Sequence, residues 1–211
     1  MLSASPPVES GTRGRIVAAA VALFAEQGFD ATSVNQVVVR AQVAKGALYH
    51  HFASKDDLLY EVYAELVERQ LAGLNRIVAQ GLSPSEALTA IISDLVLTTA
   101  ERLPEATVFF REGHRLSDSN QQRVRRSRRA IHDAVIDLIA QAQRDGRFSR
   151  VASPEMVAFT VFGAINELPI WFQPEGRKTA QDVADELAAL VLAGLRPPPA
   201  APSRRAKEKA Q

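Results

Sequence analysis

Apolar residues in this chain recur at three- and four-residue steps, the period of a helix with one buried face. Ile16, Ala19, Ala20, Leu23 and Phe24 form the first such stripe, and Gly28 then offers a left-handed stop. Val34, Val37, Val38 and Ala41 make a shorter second stripe, and Val43, Leu48 and Phe52 anchor a third. Far along the chain Met156, Phe159, Phe162 and Gly163 keep helical spacing, as do Val183, Leu187, Leu190, Val191 and Gly194. No period-two alternation is sustained, and no Asn-Gly or Asp-Gly pair marks a hairpin.

Start and stop signals divide these stripes. Ser33 lies three residues before Gln36, and Ser54 three before Asp57, which is capping-box spacing. Ser83-Pro84-Ser85-Glu86 and Ser153-Pro154-Glu155 each put proline at the first helical position. Thr179 to Asp182 opens a last helix, which Gly194 and the Pro197-Pro198-Pro199 run close. Two more helices are predicted, near Glu105 to Arg115 and from about Asn120 to Arg144. Nothing repeats at a fixed period. The pattern predicts an all-α chain of about nine helices. The biased ends, 1–11 and 196–211, are expected to be disordered.

Composition narrows the chemistry. The chain has 211 residues and a formal net charge of +1, so any affinity for nucleic acid must come from a local patch. It has no cysteine, which excludes disulfides, thiolate metal sites and cysteine nucleophiles and fits a reducing compartment. No apolar run reaches the roughly 18 residues of a membrane span. The first residues lack the basic start and apolar core of a signal peptide. The cytoplasm is the expected location, with no membrane partner.

The segment from Ser33 to Phe52 reads as two short helices joined by a tight turn. With the apolar anchors turned inward, Lys45, Gly46, Tyr49 and His50 point out. Lysine meets phosphate or a guanine edge, and tyrosine and histidine donate to phosphate oxygens. Gly46, without a side chain, allows close approach to a duplex. Ser33 and Lys55 stand at helix N-termini, where free N–H groups suit an anion, and are expected to clamp the phosphate backbone. On spacing alone an ordinary bundle pair with a solvated outer face serves as well as a DNA reader.

The run Val43 to Leu58 resembles the recognition-helix signature of TetR-type (TetR/AcrR) transcriptional regulators, and Ile16 to Phe29 and Thr32 to Arg40 resemble that family's first two helices. Close resemblance covers about residues 12 to 60. The family's usual Gly-Val-Ser and Gly-Thr-Leu-Tyr are altered: Gln42 stands for the turn glycine, Ala44 for the serine cap and Ala47 for the threonine. Gln42 must then accept or avoid a positive φ, and Ala44 forgoes a cap of about 1 kcal/mol. The resemblance implies a ligand-responsive repressor, released from a palindromic operator by a hydrophobic small molecule, with Ser33, Ala44, Lys45, Gly46, Tyr49, His50 and Lys55 at the DNA. It implies a DNA-binding domain over 12–58, its helix-turn-helix at 33–52, and a ligand-binding and dimerisation domain over 59–195. A homodimer would present its two recognition helices about 34–36 Å apart, or a multiple of that.

In the larger part, Phe159, Val183, Leu187, Leu190 and Val191 are the expected dimer surface, a four-helix bundle built from two helices of each subunit. The alternative is that these stripes face only their own core. Phe109, Phe110, His114, Phe162, Asn166 and Trp171 are the candidate ligand walls, aromatic surface with a few polar groups. Asn166, Trp171 and the Phe172-Gln173-Pro174-Glu175-Gly176 run resemble the acyl-CoA-responsive (KstR-like) subgroup, which implies an acyl-CoA thioester as inducer. The subgroup's arginine before the tryptophan is here Ile170, which leaves a phosphate-free hydrophobic ligand open. Arg123, Arg125, Arg126, Arg128 and Arg129 surround much of one helix. They serve as a solvated face, or one or two of them, Arg126 or Arg129, meet an acidic ligand head or phosphates. Arg204-Arg205-Ala206-Lys207 would add weak, salt-screened attraction to DNA.

Two other functions compete. An enzyme would draw on Glu112, His114, His132 and Asp133, which show no metal-ligand or nucleophile spacing, so no catalytic, metal or cofactor site is assigned. A helical protein-interaction module with weak non-specific DNA binding is the remaining alternative.

Overall fold

The structure, a computed structural model, describes residues 11–197. The expected disordered ends, but for Gly11, Arg196 and Pro197, lie outside the described residues, as does the basic tail around Arg204. The order is α1 (Thr12–Gln27), α2 (Val34–Ala41), α3 (Lys45–His51), α4 (Lys55–Val78), α5 (Pro84–Glu101), α6 (Leu103–Glu112), α7 (Asp118–Arg144), α8 (Pro154–Asn166), α9 (Leu168–Trp171) and α10 (Ala180–Leu195). A 3-10 turn, Gly113–Arg115, follows α6, and no strand occurs among the described residues. The count exceeds the expected nine by α9, a single turn with Pro169 near its start.

The caps act as their spacing predicts. Ser33 and Gln36 close a capping box on α2, Ser83 and Glu86 on α5, and Thr179 and Asp182 on α10. Ser54 accepts from the Asp57 amide on α4, and Ser153 from the Met156 amide on α8. Gly28 ends α1 at φ 84°, a region open to glycine at little cost.

α1, α2 and α3 pack together at one end, and α4 leads from them into a larger helical layer. There α4 touches α5, α6 and α7, α10 lies along α5, and α8 packs on α7. One apolar core runs through the whole molecule, from Ile16 and Phe24 through Leu58 and Leu59 to Leu88, Ile139 and Leu195. Arg13 of α1 pairs with Glu61 and Glu65 of α4, tying the small end to the shaft that carries it. No helix of the described residues is long and apolar enough to cross a membrane.

Candidate nucleic-acid interface and internal cavity

α3 is only seven residues long, too short to persist alone in water. Tertiary packing holds it: Leu48 is 0% exposed and Phe52 is buried behind it. The turn before it is fixed by Gln42 at φ 54°, ψ 49°, left-handed despite the missing glycine. Its amide donates back to the Val38 and Val39 carbonyls, and the Val43 amide reaches the Val38 carbonyl at 3.0 Å. Ala44 makes no side-chain cap. A two-pronged Arg40–Glu26 contact at 2.7 Å on each side fastens α2 to α1.

The anchors leave Lys45, Gly46, Tyr49 and His50 on the outer side, all exposed, with Tyr49 at 50%. Among the described residues Lys45 and Tyr49 make no hydrogen bond or ion pair. A Cβ at Gly46 would meet nothing in the chain, so internal packing does not require a glycine there. Two expected clamps are otherwise engaged. The Ser33 hydroxyl lies 2.9 Å from the Gln36 side-chain oxygen and accepts from the Gln36 amide, which leaves it a helix cap at the surface. Lys55 departs from expectation: its Nζ donates to the Phe29 and Thr32 carbonyls at 2.8 and 2.9 Å and lies 4.2 Å above the Phe29 ring. The cation closes the chain reversal after α1, where the Phe29 carbonyl also accepts from the Thr32 amide at 3.2 Å.

Beyond α4 a cavity of about 380 Å³ opens between α4, α5, α6, α7 and α8. Two stacked ring pairs line it, Tyr63 on Phe109 with centroids 3.5 Å apart and His132 on Phe162 at 3.7 Å. Burial pushes the Tyr63 hydroxyl above its ordinary pKa, against the pull of the Arg128 charge. Burial, and then the same charge, hold the His132 imidazole below 6.5, so the ring favours its neutral form. Gln70 donates to the Thr99 hydroxyl at 3.0 Å, and Thr99 donates to the Leu95 carbonyl at 2.7 Å. The walls are thus largely apolar, with Gln70 and Thr99 paired within them.

Sequence patterns of known families match at both ends. That of bacterial regulatory proteins of the tetR family matches residues 16–62. That of the tetracyclin repressor-like C-terminal domain matches residues 81–195, more than half of the chain. The chain belongs to the tetR family. KstR2 of Mycolicibacterium smegmatis, an HTH-type transcriptional repressor, is 26% identical over 196 residues, 90% of this chain and 94% of its own length. The ketosteroid transcriptional regulator KstR2 of Mycobacterium tuberculosis superposes with a TM-score of 0.80 at 25% identity, over 92% of this chain and 99% of that one. AibR, solved with isovaleryl coenzyme A and operator DNA, shares the fold at a TM-score of 0.74 and 24% identity, over 89% of this chain and 100% of that one.

The other expected residues of this tetR-family chain fall in different places. Phe109, Phe110, His114, Phe162 and Asn166 line the cavity. Trp171 does not: it is half-exposed and meets Phe172 edge-on. Arg126 lies outside the cavity, on an open groove between α7 and α8. Tyr63, Gln70, Arg128 and His132 were not anticipated in the walls, because only the crossing of α4 and α7 brings them together. Of the expected dimer stripe, Phe159 is 75% and Leu190 71% exposed, and Leu187 is half-buried. Val183 and Val191 depart from it: both are buried in their own subunit, on a helix that lies along α5.

A polar junction not visible in the sequence joins the two ends. Asp56, at the head of α4, accepts from the Ser117 amide and hydroxyl, each at 2.8 Å, and from Asn120 Nδ2 at 2.6 Å. The same Nδ2 reaches Asp57 at 3.2 Å. Arg123 donates to Asn120 Oδ1 at 2.9 Å and stacks 3.8 Å over the Tyr60 ring. Two aspartates of α4 therefore hold the first turn of α7.

Proposed function

We propose that this tetR-family chain is a DNA-binding transcriptional repressor, released from a palindromic operator by a hydrophobic small molecule. The observation that carries the DNA reading is the outer side of α3. Lys45, Tyr49 and His50 face solvent around a glycine that the chain's own packing does not need. Such a helix fits the major groove, with Lys45 at phosphate or guanine and Tyr49 and His50 at phosphate oxygens. Ser33 and the Ala44 turn flank it, while Lys55 shapes the domain from inside.

Residues 12–58 form the reading unit in this scheme, and 59–195 the unit that binds ligand and pairs with a second copy. The exposed Phe159 and Leu190, with Leu187, supply the pairing surface. The cavity lined by Phe109, Phe110, His114, Phe162 and Asn166 takes the inducer, and an acyl-CoA thioester is the proposed class. The ketosteroid regulator KstR2 supports a large apolar ligand. The fold shared with AibR accommodates isovaleryl coenzyme A and operator DNA together. The protein acts in the cytoplasm, as a regulator rather than an enzyme. Ligand loosens DNA only by its differential affinity for the form that does not fit the operator.

The test is selection of bound fragments from random DNA by the purified full chain. A palindromic consensus is the expected result. Recovery of random sequence would replace this reading with that of a helical interaction module.

A further inference from the structure

Beside the cavity, α7 and α8 border an open groove of about 830 Å³. Arg125, Arg126, Arg128 and Arg129 line its α7 side together with Asp133 of the same helix, and Glu155 and Phe159 line its α8 side, Phe159 being also a residue of the proposed pairing surface. Neither carboxylate forms an ion pair with these arginines among the described residues, although five arginines elsewhere, Arg13, Arg40, Arg76, Arg102 and Arg115, are paired. Arg125 is steadied by the Gln121 side-chain oxygen at 3.2 Å. Arg126, Arg128 and Arg129 have no hydrogen-bond or ion-pair partner among the described residues. Like charges three and four positions apart on a helix destabilise it, so four guanidiniums left together call for an anion.

The groove and the cavity share a wall. Arg128 and His132 line both. The two compartments therefore meet at Arg128, with Arg125, Arg126 and Arg129 on the groove side. Guanidinium groups meet phosphate oxygens two at a time, and several of them along one helix turn suit a group with more than one phosphate.

We infer that the α7 arginine groove seats the phosphate-bearing end of the ligand whose apolar end fills the cavity, an inference that rests on the ligand reading above. Arg125, Arg126 and Arg129 bind the phosphates, and Arg128 marks the passage between the two compartments. The groove selects a phosphorylated conjugate over the same apolar skeleton without phosphate.

The test compares lauroyl-coenzyme A with S-lauroylpantetheine, which keeps the acyl thioester but lacks every phosphate, by calorimetric titration of the full chain. The wild type is expected to prefer the phosphorylated probe by about tenfold or more, the scale of one charged hydrogen bond. The exposed triple substitution Arg125→Gln, Arg126→Gln, Arg129→Gln is expected to erase that preference while operator affinity stays unchanged. Phe110→Ala, on the cavity side, should weaken both probes by the same factor. A triple variant that still prefers the phosphorylated probe, or that loses operator affinity without ligand, overturns the inference. A wild type that binds both probes equally overturns it and leaves the cavity reading standing. A wild type that binds neither overturns both.

Discussion

α3 and α7 both turn basic groups outward, and they are built on opposite plans. α3 has seven residues, two apolar anchors, and neighbours within a few tens of positions. α7 has 27 residues and is held along its length by Val124, Ile131, Val135 and Ile139. The outer groups of α3 stand free around a glycine, whereas the arginines of α7 border a groove that another helix completes. A face made by one short helix is legible from local sequence. A compartment made where distant helices cross is not, because its neighbours are set by the core.

The comparison can be broken most severely at the α3 anchor. Leu48→Ala removes a fully buried side chain and should cost about 2–5 kcal/mol, read as a lower thermal midpoint together with loss of operator binding. On the outer side of the same helix, Tyr49→Ala should leave the circular dichroism spectrum unchanged. It should weaken operator affinity by about 1–3 kcal/mol in fluorescence anisotropy at fixed salt. Unchanged affinity for Tyr49→Ala and Lys45→Ala alike would reject the assigned face. Gly46→Ala separates folding from reading more finely: stability should rise by up to about 1 kcal/mol, since no clash awaits the methyl group, while operator affinity falls.

The smallest expected effect belongs to the cavity. The folded-state pKa of His132 lies below 6.5, so the fold prefers the neutral ring. The associated stability is present above the unfolded value and lost as pH falls through the folded one. The thermal midpoint should decline as pH falls below about 6.5, and His132→Phe should flatten that decline. An identical profile in the variant would remove His132 from the account.

Much of the architecture could be read from local signals. Serine and threonine caps at Ser33, Ser54, Ser83, Ser153 and Thr179 start their helices where the spacing places them. The outer side of α3 follows from Leu48 and Phe52 turning in. Lys55 was misread because its position at a helix start suggested an anion, while carbonyls 23 and 26 residues upstream captured it. Val183 and Val191 belong to a stripe wide enough to serve two faces, and periodicity does not say which edge meets α5. Tyr63 gives no signal in the sequence and His132 reads there only as an acid–base candidate, because each lines the cavity through a partner on another helix.

The hold of Asp56 and Asp57 on Asn120 has a mechanical side. Arg128 lies two turns further along the same helix, about 12 Å at the usual rise. A shift of α7 beside Arg128 would therefore reach Asp56 along a single helix, and with it the head of α4 that carries the small end of the molecule.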